Sequence, residues 1–394
     1  MPQPPKKRAK LSTAAGDDAV NGARDQIKKS PDNQDTGSSR GEGEDETTNV
    51  PKVYRLPGGL KPDVRLLVFD QEYHVHSTIL KLHSNYFRRF LDSPDKTGEP
   101  ASANFQYEYA TVVDDDGTWA LEPANKIKDP VFTFERLHLL EKGGGISPML
   151  EGAAFEALIS AMYNRPYKVE TTEDIVDLTN VAGFYCALPI VSATINGQLF
   201  ESQRLLFGSA DGRHVSSDPV DLLIAARKLR HKRLFHDCLI HVVSQFARIE
   251  SENGNELQTL QNDKEIYALV LRHHRFLCKK IMKVQHEQIR FMQSDQHDWK
   301  PVPVVQSYMN SMPENNATYF YAIYAQLPIP RSLDARKCEG PSNNFRLALD
   351  DLLENELWLD QMEEGPACGI YENRFLSCDA DKIEYPWNED EVDW

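Results

Sequence analysis

The sequence lacks the unbroken apolar run, about 20 residues long, that a membrane-spanning helix needs. It starts with MPQPPKKRAK, which is basic but leads into no apolar stretch, so we expect no secretory signal. Its 6 cysteines are scattered without a CxxC pair, which favours reduced, buried thiols over a disulfide framework or a zinc site. These absences predict a soluble intracellular protein that makes no contact with membranes.

Catalytic motifs are also scarce. No GxSxG, HExxH or kinase motif set occurs. The glycines at 143–145 lack both the GK[ST] and the GxGxxG spacing of phosphate-binding loops, so we expect an ordinary loop there. His274 and Cys278 lie one helical turn apart, but basic residues surround them, which favours a solvated face with a packed thiol. We therefore expect a protein that is not an enzyme and that needs no cofactor.

Charges of both signs are present, but they are segregated along the chain. The net charge is −16 over 394 residues, and residues 341–394 contain 15 Asp and Glu against three Arg and Lys. By contrast, residues 225–242 and 271–290 are rich in Arg and Lys. Because opposite charges in one chain have a high effective concentration, we expect the acidic segment to fold back onto the basic stretches. The alternative, that the basic stretches meet an acidic partner, stays open. Direct nucleic-acid binding by the basic stretches is disfavoured, since the acidic total repels DNA at a distance.

The N-terminal region has little apolar periodicity. Residues 1–60 are rich in Pro, Gly, Ser and charged residues, a composition typical of a disordered tail. Within it, the basic cluster of Lys6, Lys7, Arg8 and Lys10 fits a short nuclear import signal. We predict a nuclear location from this cluster, with a cytoplasmic pool left open. The alternative, that the cluster is a chance feature of a solvated tail, also stays open.

Regular hydrophobic patterns begin at Asp63. The segments VRLLVF and EYHV predict a β-hairpin that turns at Asp70-Gln71, and STILKLHS and SNYFRRFL predict two short helices. Within an insertion at 92–130, a second hairpin is predicted around the DDDG sequence at 114–117. Residues 133–141 predict a further strand.

The rest of the chain has helical patterns. Residues 153–167 predict a buried helix, and the region that opens at Thr172 predicts one or two more. Long amphipathic helices are predicted at 217–246 and 262–292, and a last, acidic helix at 343–361. The predicted order is therefore strands first, with helices after them.

His74 and His76 lie two residues apart where a strand is predicted to end. Residues at this spacing on a strand point to the same face, so the pair could present two imidazoles to a zinc ion. The alternative is that Ser77 caps the following helix and that His76 hydrogen-bonds locally. Because no third ligand lies nearby in the sequence, we expect no metal site.

The order of hairpin, two short helices, strand and helices resembles the BTB/POZ fold. The similarity covers residues 61–200 without the insertion. It rests on an Asp-Val opening of the first strand, on the pattern V-H-x-x-I-L followed by S and Y-F, and on a later helix L-x-x-x-A-x-x-Y at 178–185. The signature residues of the first cluster are Asp63, His76, Leu80, Ser84 and Phe87.

This resemblance implies an α+β protein, in which a small sheet flanked by helices carries an inserted β-hairpin and is followed by an α-helical region. The helices of 201–300 are similar to the BACK region that follows the BTB domain in proteins of filamentous fungi. The implied organisation is a tail at 1–60, a BTB/POZ domain at 61–200, BACK-like helices at 201–300 and an acidic segment with one helix at 301–394. A length of 394 residues suits two domains of roughly 100–200 residues.

The resemblance also implies a function, which is that of a protein–protein interaction module. Members of the family bind cullin scaffolds of ubiquitin ligases, as substrate adaptors, or transcriptional corepressors, as nuclear transcription or chromatin regulators. The cullin contact of the family uses the helix that matches SNYFRRFL, so the candidate partner surface is Tyr86, Phe87, Phe90 and Leu91. The alternative is that Phe87 and one of the other aromatic or apolar residues fill the core.

Two departures from the family pattern affect partner expectations. The hydrophobic-any-acidic triplet that supports cullin binding is missing from Ser93–Thr97, which puts cullin recruitment in doubt. The prolines and glycines of residues 51–62 disfavour the paired N-terminal strand through which many members dimerise. We therefore expect a monomer or a weak homodimer.

Overall fold

The computed structural model describes residues 50–93, 102–113, 119–127, 147–201, 218–293, 316–327, 341–359, 371, 373–379, 383–391 and 394. The basic cluster at 6–10, the DDDG turn, the predicted strand at 133–141, the glycines at 143–145 and residues 94–97 lie outside these ranges. Contacts within the chain divide it into two compact units. One comprises 1–78 and 89–152, and the other comprises 79–88 and 153–394. The domain boundaries expected near residues 60, 200 and 300 stay predictions.

The first unit contains a five-stranded sheet. Its strands are β1 (Lys52–Val53), β2 (Val64–Val68), β3 (Gln71–Val75), β4 (Tyr107–Val113) and β5 (Trp119–Pro123), in the spatial order β1-β3-β2-β4-β5. β1 pairs with β3 and β2 with β4 in parallel, whereas β2–β3 and β4–β5 are antiparallel. In β2 the alternate residues Val64, Leu66 and Val68 are fully buried, as one face of a sheet against a core requires.

The structure confirms both predicted hairpins. β2 and β3 pair from Val64 opposite Val75 to Val68 opposite Gln71. Their turn lies at Phe69 and Asp70, one residue earlier than predicted, and Phe69 adopts a left-handed backbone with φ of 54°. The second hairpin is formed by β4 and β5, whose pairing runs to Val113 and Trp119 on either side of the predicted turn.

A short strand pairs before Asp63 although the prolines and glycines of residues 51–62 disfavour one, so the expectation of a disordered tail that extends to residue 60 is wrong. Lys52 and Val53 form β1 beside Tyr73 and His74 of the same chain. Gly58 and Gly59 follow with φ of +89° and +74°, and these left-handed values let the chain turn back between β1 and β2 without a side-chain clash. The glycines thus interrupt the segment after the strand, not within it.

The described residues form eleven α-helices. They are α1 (Ser77–His83), α2 (Asn85–Phe90), α3 (Pro148–Met162), α4 (Thr172–Phe184), α5 (Leu188–Glu201), α6 (Pro219–Leu229), α7 (Lys232–Glu252), α8 (Asn255–Asn262), α9 (Lys264–Met292), α10 (Ala317–Tyr324) and α11 (Pro341–Leu352). A 3-10 turn, Ala124–Lys126, follows β5. The architecture is therefore mixed α and β, as predicted. Of the described helices, none is long and apolar enough to cross a membrane.

Three predicted helices differ from those observed. The buried helix expected at 153–167 is α3, which begins earlier, at Pro148, and ends at Met162. The basic stretch expected at 217–246 is two helices, α6 and α7, because Arg230 between them has a left-handed φ of 53°. The acidic helix expected to continue to residue 361 ends at Leu352. α4 is capped as expected for its sequence, but by Thr171 in place of Thr172, with Asp174 completing the capping box.

Candidate functional site

Asp63, the first of the signature residues, joins the sheet to the first helix. Its Oδ1 accepts a hydrogen bond from the Ser77 backbone N–H at 2.7 Å, and its Oδ2 accepts one from the Ser77 hydroxyl at 2.6 Å. Ser77 is the first residue of α1. The predicted cap is therefore wrong in detail, because the carboxylate of Asp63, distant in sequence, satisfies this helix N-terminus in place of the Ser77 side chain.

Ser84 connects α2 to the end of α4 within the second unit. Its hydroxyl donates to the Tyr185 carbonyl at 2.5 Å and accepts from the Phe87 backbone N–H at 3.0 Å. The Phe87 ring stacks on the Tyr185 ring, with centroids 5.1 Å apart and planes only 7° from parallel. Ser84 and Phe87 are thus both structural, and they hold α2 against a residue about 100 positions away.

The candidate partner surface is wrong, because its four side chains are buried. Phe87 and Leu91 are fully inaccessible, and Tyr86 and Phe90 retain less than a tenth of their exposure. Tyr86 and Phe87 pack on the aromatic residues at the end of α4, and the Phe90 ring lies 4.7 Å from that of Tyr109. The aromatic residues of this helix are core residues, which is the alternative that the sequence left open.

The two histidines that suggested a metal site bond to protein groups instead. The Nε2–H of His76 donates to the Leu60 carbonyl at 3.1 Å, and the Nε2–H of His74 donates to the Glu72 carboxylate at 2.6 Å. Arg65 also binds Glu72, at 2.8 Å, and this hydrogen bond lowers the pKa of the Glu72 carboxyl. Within the described ranges, no group of three or more His, Cys, Asp and Glu side chains is placed to hold a metal ion.

His274 and Cys278 do meet on α9. The Cys278 thiol lies 3.5 Å from Nε2 of His274, whose Nδ1 faces the Val243 carbonyl at 3.3 Å. Burial raises the pKa of Cys278, so that the thiol stays protonated and donates to the imidazole. A nucleophilic cysteine needs a lowered pKa, whereas the pKa of Cys278 is raised.

A cleft of about 330 Å³ opens in the second unit where the turn between α1 and α2 meets the turn between α4 and α5. Leu82 lies at its rim with 64% of its surface exposed, beside the exposed side chain of Arg88. Cys186, with φ of 49°, and Ile190 also line the cleft. Burial lowers the pKa of His83, which favours the neutral ring. The cleft is therefore largely uncharged, with one cation at its edge.

The inner part of the C-terminal segment is built into the helical unit. Asp237 of α7 accepts hydrogen bonds from the backbone N–H groups of Trp358 and Leu359 at 3.0 and 2.8 Å, and from the His236 ring at 2.9 Å. The Trp358 ring stacks on His236 with a centroid separation of 3.9 Å. Asp237 is almost fully buried, and these three donors stabilise its charge.

Residues 373–379 continue this inner part. Phe375, Leu376 and Cys378 are buried, and the Cys378 carbonyl accepts from the ring of His273 on α9 at 2.9 Å. Burial raises the pKa of the Cys378 thiol well above its usual range, which keeps it protonated. We call the described residues of 356–379 the C-terminal anchor.

The outer part of the segment, residues 383–394, is termed here the clip, and it contacts the corner between α6 and α7. Arg230 binds the Glu391 carboxylate at 2.6 Å and the Asn388 carbonyl at 3.0 Å. Its guanidinium carbon lies 4.5 Å from the centroid of the Trp394 ring, and the indole N–H of Trp394 donates to the Lys228 carbonyl at 3.0 Å.

Further contacts lie along the clip. Lys232 binds the Glu389 carboxylate at 2.6 Å, and this bond raises the pKa of the ammonium group. The Trp387 ring meets the Phe235 ring edge-to-face at 5.0 Å. The predicted return of the acidic segment onto the basic helices is therefore confirmed, and it uses both charges and aromatic rings.

Comparison of the chain with protein-family models, with curated proteins and with solved structures finds nothing that matches it. The similarity to BTB/POZ proteins consequently remains one of short motifs and element order.

Sequence reasoning missed Asp237 and the cleft. Asp237 sits among apolar residues of an amphipathic helix, and a buried carboxylate in such a pattern is a detectable signal of a structural acceptor. The cleft offered no such signal, because it is formed by two turns about 100 residues apart in the sequence.

Proposed function

We propose that this chain is a non-enzymatic protein interaction module of the BTB/POZ type, and that it binds its partner at the cleft beside α2. The observation that supports this site is the exposed Leu82 at the rim of an uncharged cleft, next to Arg88. A partner helix or loop with an apolar side chain for the cleft and a carboxylate for Arg88 fits this chemistry.

Within this class, the favoured partner is a cullin scaffold, which would make the chain a substrate adaptor of a ubiquitin ligase. Binding of a purified cullin N-terminal domain to the full chain, measured by calorimetry, tests this assignment. We expect Leu82→Asp to weaken binding at least about tenfold, because it puts a charge at an apolar contact. Met149→Asp is the matched control, since Met149 is also a large apolar side chain, 74% exposed, but does not line the cleft.

Circular dichroism of both variants is needed to show that they keep the fold of the parent. Equal weakening by both substitutions, or none by Leu82→Asp, would contradict the site. If the cullin domain does not bind the parent at all, the adaptor assignment is wrong.

The second candidate function is nuclear regulation through a recruited corepressor. It is supported by the basic cluster of the N-terminal tail, which predicts nuclear import. Replacing Lys6, Lys7, Arg8 and Lys10 by Ala in a fluorescent fusion should shift the signal from nucleus to cytoplasm. An unchanged nuclear signal, or a parent that is absent from the nucleus, would count against this candidate.

A further inference from the structure

The clip and the C-terminal anchor are held by different kinds of interaction. The anchor buries Phe375, Leu376 and Cys378 in the interior of the helical unit. In the clip, by contrast, none of the described residues is buried, and the described residues form turns without a helix or strand. Its ion pairs with the corner are solvent-accessible on the clip side: Lys232 and Glu389 are each about half exposed, and Glu391, which binds the largely covered Arg230, is 47% exposed. Because salt and water weaken exposed pairs, the clip can open while the anchor stays in place.

Opening of the clip exposes a surface with a defined chemistry. The corner presents two cations, Arg230 and Lys232, around the ring of Phe235. The backbone carbonyl of Lys228 is a hydrogen-bond acceptor that Trp394, whose ring lies over Arg230, uses in the closed arrangement. A ligand that satisfies all of these groups needs carboxylates, a planar ring for the guanidinium and an N–H donor.

An acidic peptide with aromatic side chains has this combination of groups, and the clip itself is an example of one. Polyanions such as DNA and heparin satisfy the two cations, but their phosphates and sulfates do not supply the indole N–H that reaches the Lys228 carbonyl. We propose that the α6–α7 corner is a docking surface for an acidic, aromatic-containing peptide of a partner protein, and that the clip occupies this surface until such a peptide displaces it. The corner is formed by other residues than the cleft, so this inference does not depend on the proposed cullin contact.

The test uses the full chain and a fluorescein-labelled peptide with the sequence of the clip, IEYPWNEDEVDW. In an open variant, Trp387→Ala, Glu389→Gln, Glu391→Gln and Trp394→Ala together remove the two ion pairs and the two indole contacts of the clip with the corner. Because the attached clip competes at high effective concentration, we expect the open variant to bind the labelled peptide at least about tenfold more tightly than the parent in fluorescence anisotropy. Equal affinities of parent and open variant would overturn the proposal.

Two surface variants locate the peptide on the open chain. Adding Arg230→Glu and Lys232→Glu should abolish binding, since both cations become anions. Arg290→Glu is the matched control, because Arg290 is an exposed arginine of α9, and it should leave the affinity unchanged. Binding that survives the Arg230 and Lys232 changes, in variants shown by circular dichroism to be folded, would place the peptide elsewhere and contradict the proposal.

A second peptide separates aromatic recognition from charge alone. It carries Ser in place of Tyr385, Trp387 and Trp394 but keeps every carboxylate. We expect it to bind at least about tenfold more weakly than the natural sequence, because the ring contacts at the corner are lost. If it binds equally well, or if duplex DNA or heparin binds the open variant more tightly than the peptide does, the corner is a general polyanion surface and the proposal is wrong.

Discussion

At the scale of single residues, buried polar side chains that bridge distant segments are the most sensitive positions of this chain. Ser84 is buried and satisfies both the Tyr185 carbonyl and the Phe87 N–H. We expect Ser84→Ala to lower the free energy of unfolding by about 1–3 kcal/mol, because it removes the hydrogen bonds that the Ser84 hydroxyl makes to two buried backbone groups. Urea titration followed by circular dichroism measures this change.

Ser251→Ala is the control for that measurement. Ser251 is an exposed residue of α7 whose hydroxyl bonds only to the Arg248 carbonyl one turn earlier. Its loss should change stability by no more than about 0.5 kcal/mol. If the two substitutions cost the same, Ser84 does not act as a bridge.

His231 predicts a pH dependence of stability. It caps α7, with Nδ1 accepting from the Leu234 N–H at 3.2 Å and Nε2–H donating to Asn196 at 2.9 Å. Burial, assisted by the charge of Arg233, lowers its pKa from 6.5 to about 4. The unfolded chain therefore takes up the proton first as the pH falls. The stabilisation that comes from neutral His231 is fully present above about pH 6.5. It is lost as the pH falls towards 4, which lowers the free energy of unfolding by about 3 kcal/mol at most.

His231→Asn isolates this effect, because Asn is a good N-cap but does not titrate. We expect the loss of stability between pH 6.5 and pH 4.5, measured by urea titration, to be smaller in this variant than in the parent. His286→Asn, at an exposed position of α9, is the control, and its free energy of unfolding should fall with pH as steeply as that of the parent. If the free energy of unfolding of the His231 variant falls with pH as steeply as that of the parent, other groups cause the acid sensitivity.

At the scale of elements, Asp237 joins helix α7 to the anchor. Its two oxygens accept the N–H groups of Trp358 and Leu359. In Asp237→Asn the amide nitrogen faces one of these donors, so we expect a loss of about 1–3 kcal/mol and faster hydrogen exchange of residues 355–360 by mass spectrometry. Asp390→Asn changes an exposed carboxylate in the clip and should leave the exchange of 355–360 as it is in the parent.

Local pattern was sufficient to predict the elements whose structure depends on near neighbours. The hairpins and the short helices α1 and α2 follow from alternation and from helical spacing, and they were found where predicted. Long-range contacts decided the rest. Nothing in the helical pattern around Arg230 shows that this residue turns left-handed, and the end of α11 at Leu352 precedes a segment held by Asp237 from another helix.

The candidate site failed for the same reason. The aromatic residues of α2 have the composition of a partner surface, but Tyr185 covers Phe87 from about 100 residues further along the chain. A sequence pattern can identify an apolar helix face without showing what packs against it. The charge segregation was a stronger signal, because opposite charges attract whatever their order in the chain.

At the scale of the whole chain, the acidic C-terminal segment consists of two parts with different contributions to stability. Helix α11 and the anchor bury Phe345, Leu349, Phe375 and Leu376, whereas the described residues of the clip are at most half-buried. The buried side chains of the inner part would each contribute about 1.5–3 kcal/mol by removal from water, which is comparable with the net stability of a domain when several are lost together. The electrostatic pairs of the clip contribute far less.

Two truncations test this division. Ending the chain before residue 341 should prevent stable folding of the helical unit, because removal of Phe345 and Phe375 uncovers the surfaces of α9 and α7 on which they pack. Ending it after residue 382 should keep the circular dichroism spectrum and change Tm by only a few degrees, since it removes exposed contacts. The comparison is best made at low and high salt, because screening weakens the clip in the full chain and should bring its Tm towards that of the shorter chain. If loss of residues 383–394 alone abolishes cooperative unfolding, the clip belongs to the core, and its exchange with a partner peptide would require the helical unit to unfold.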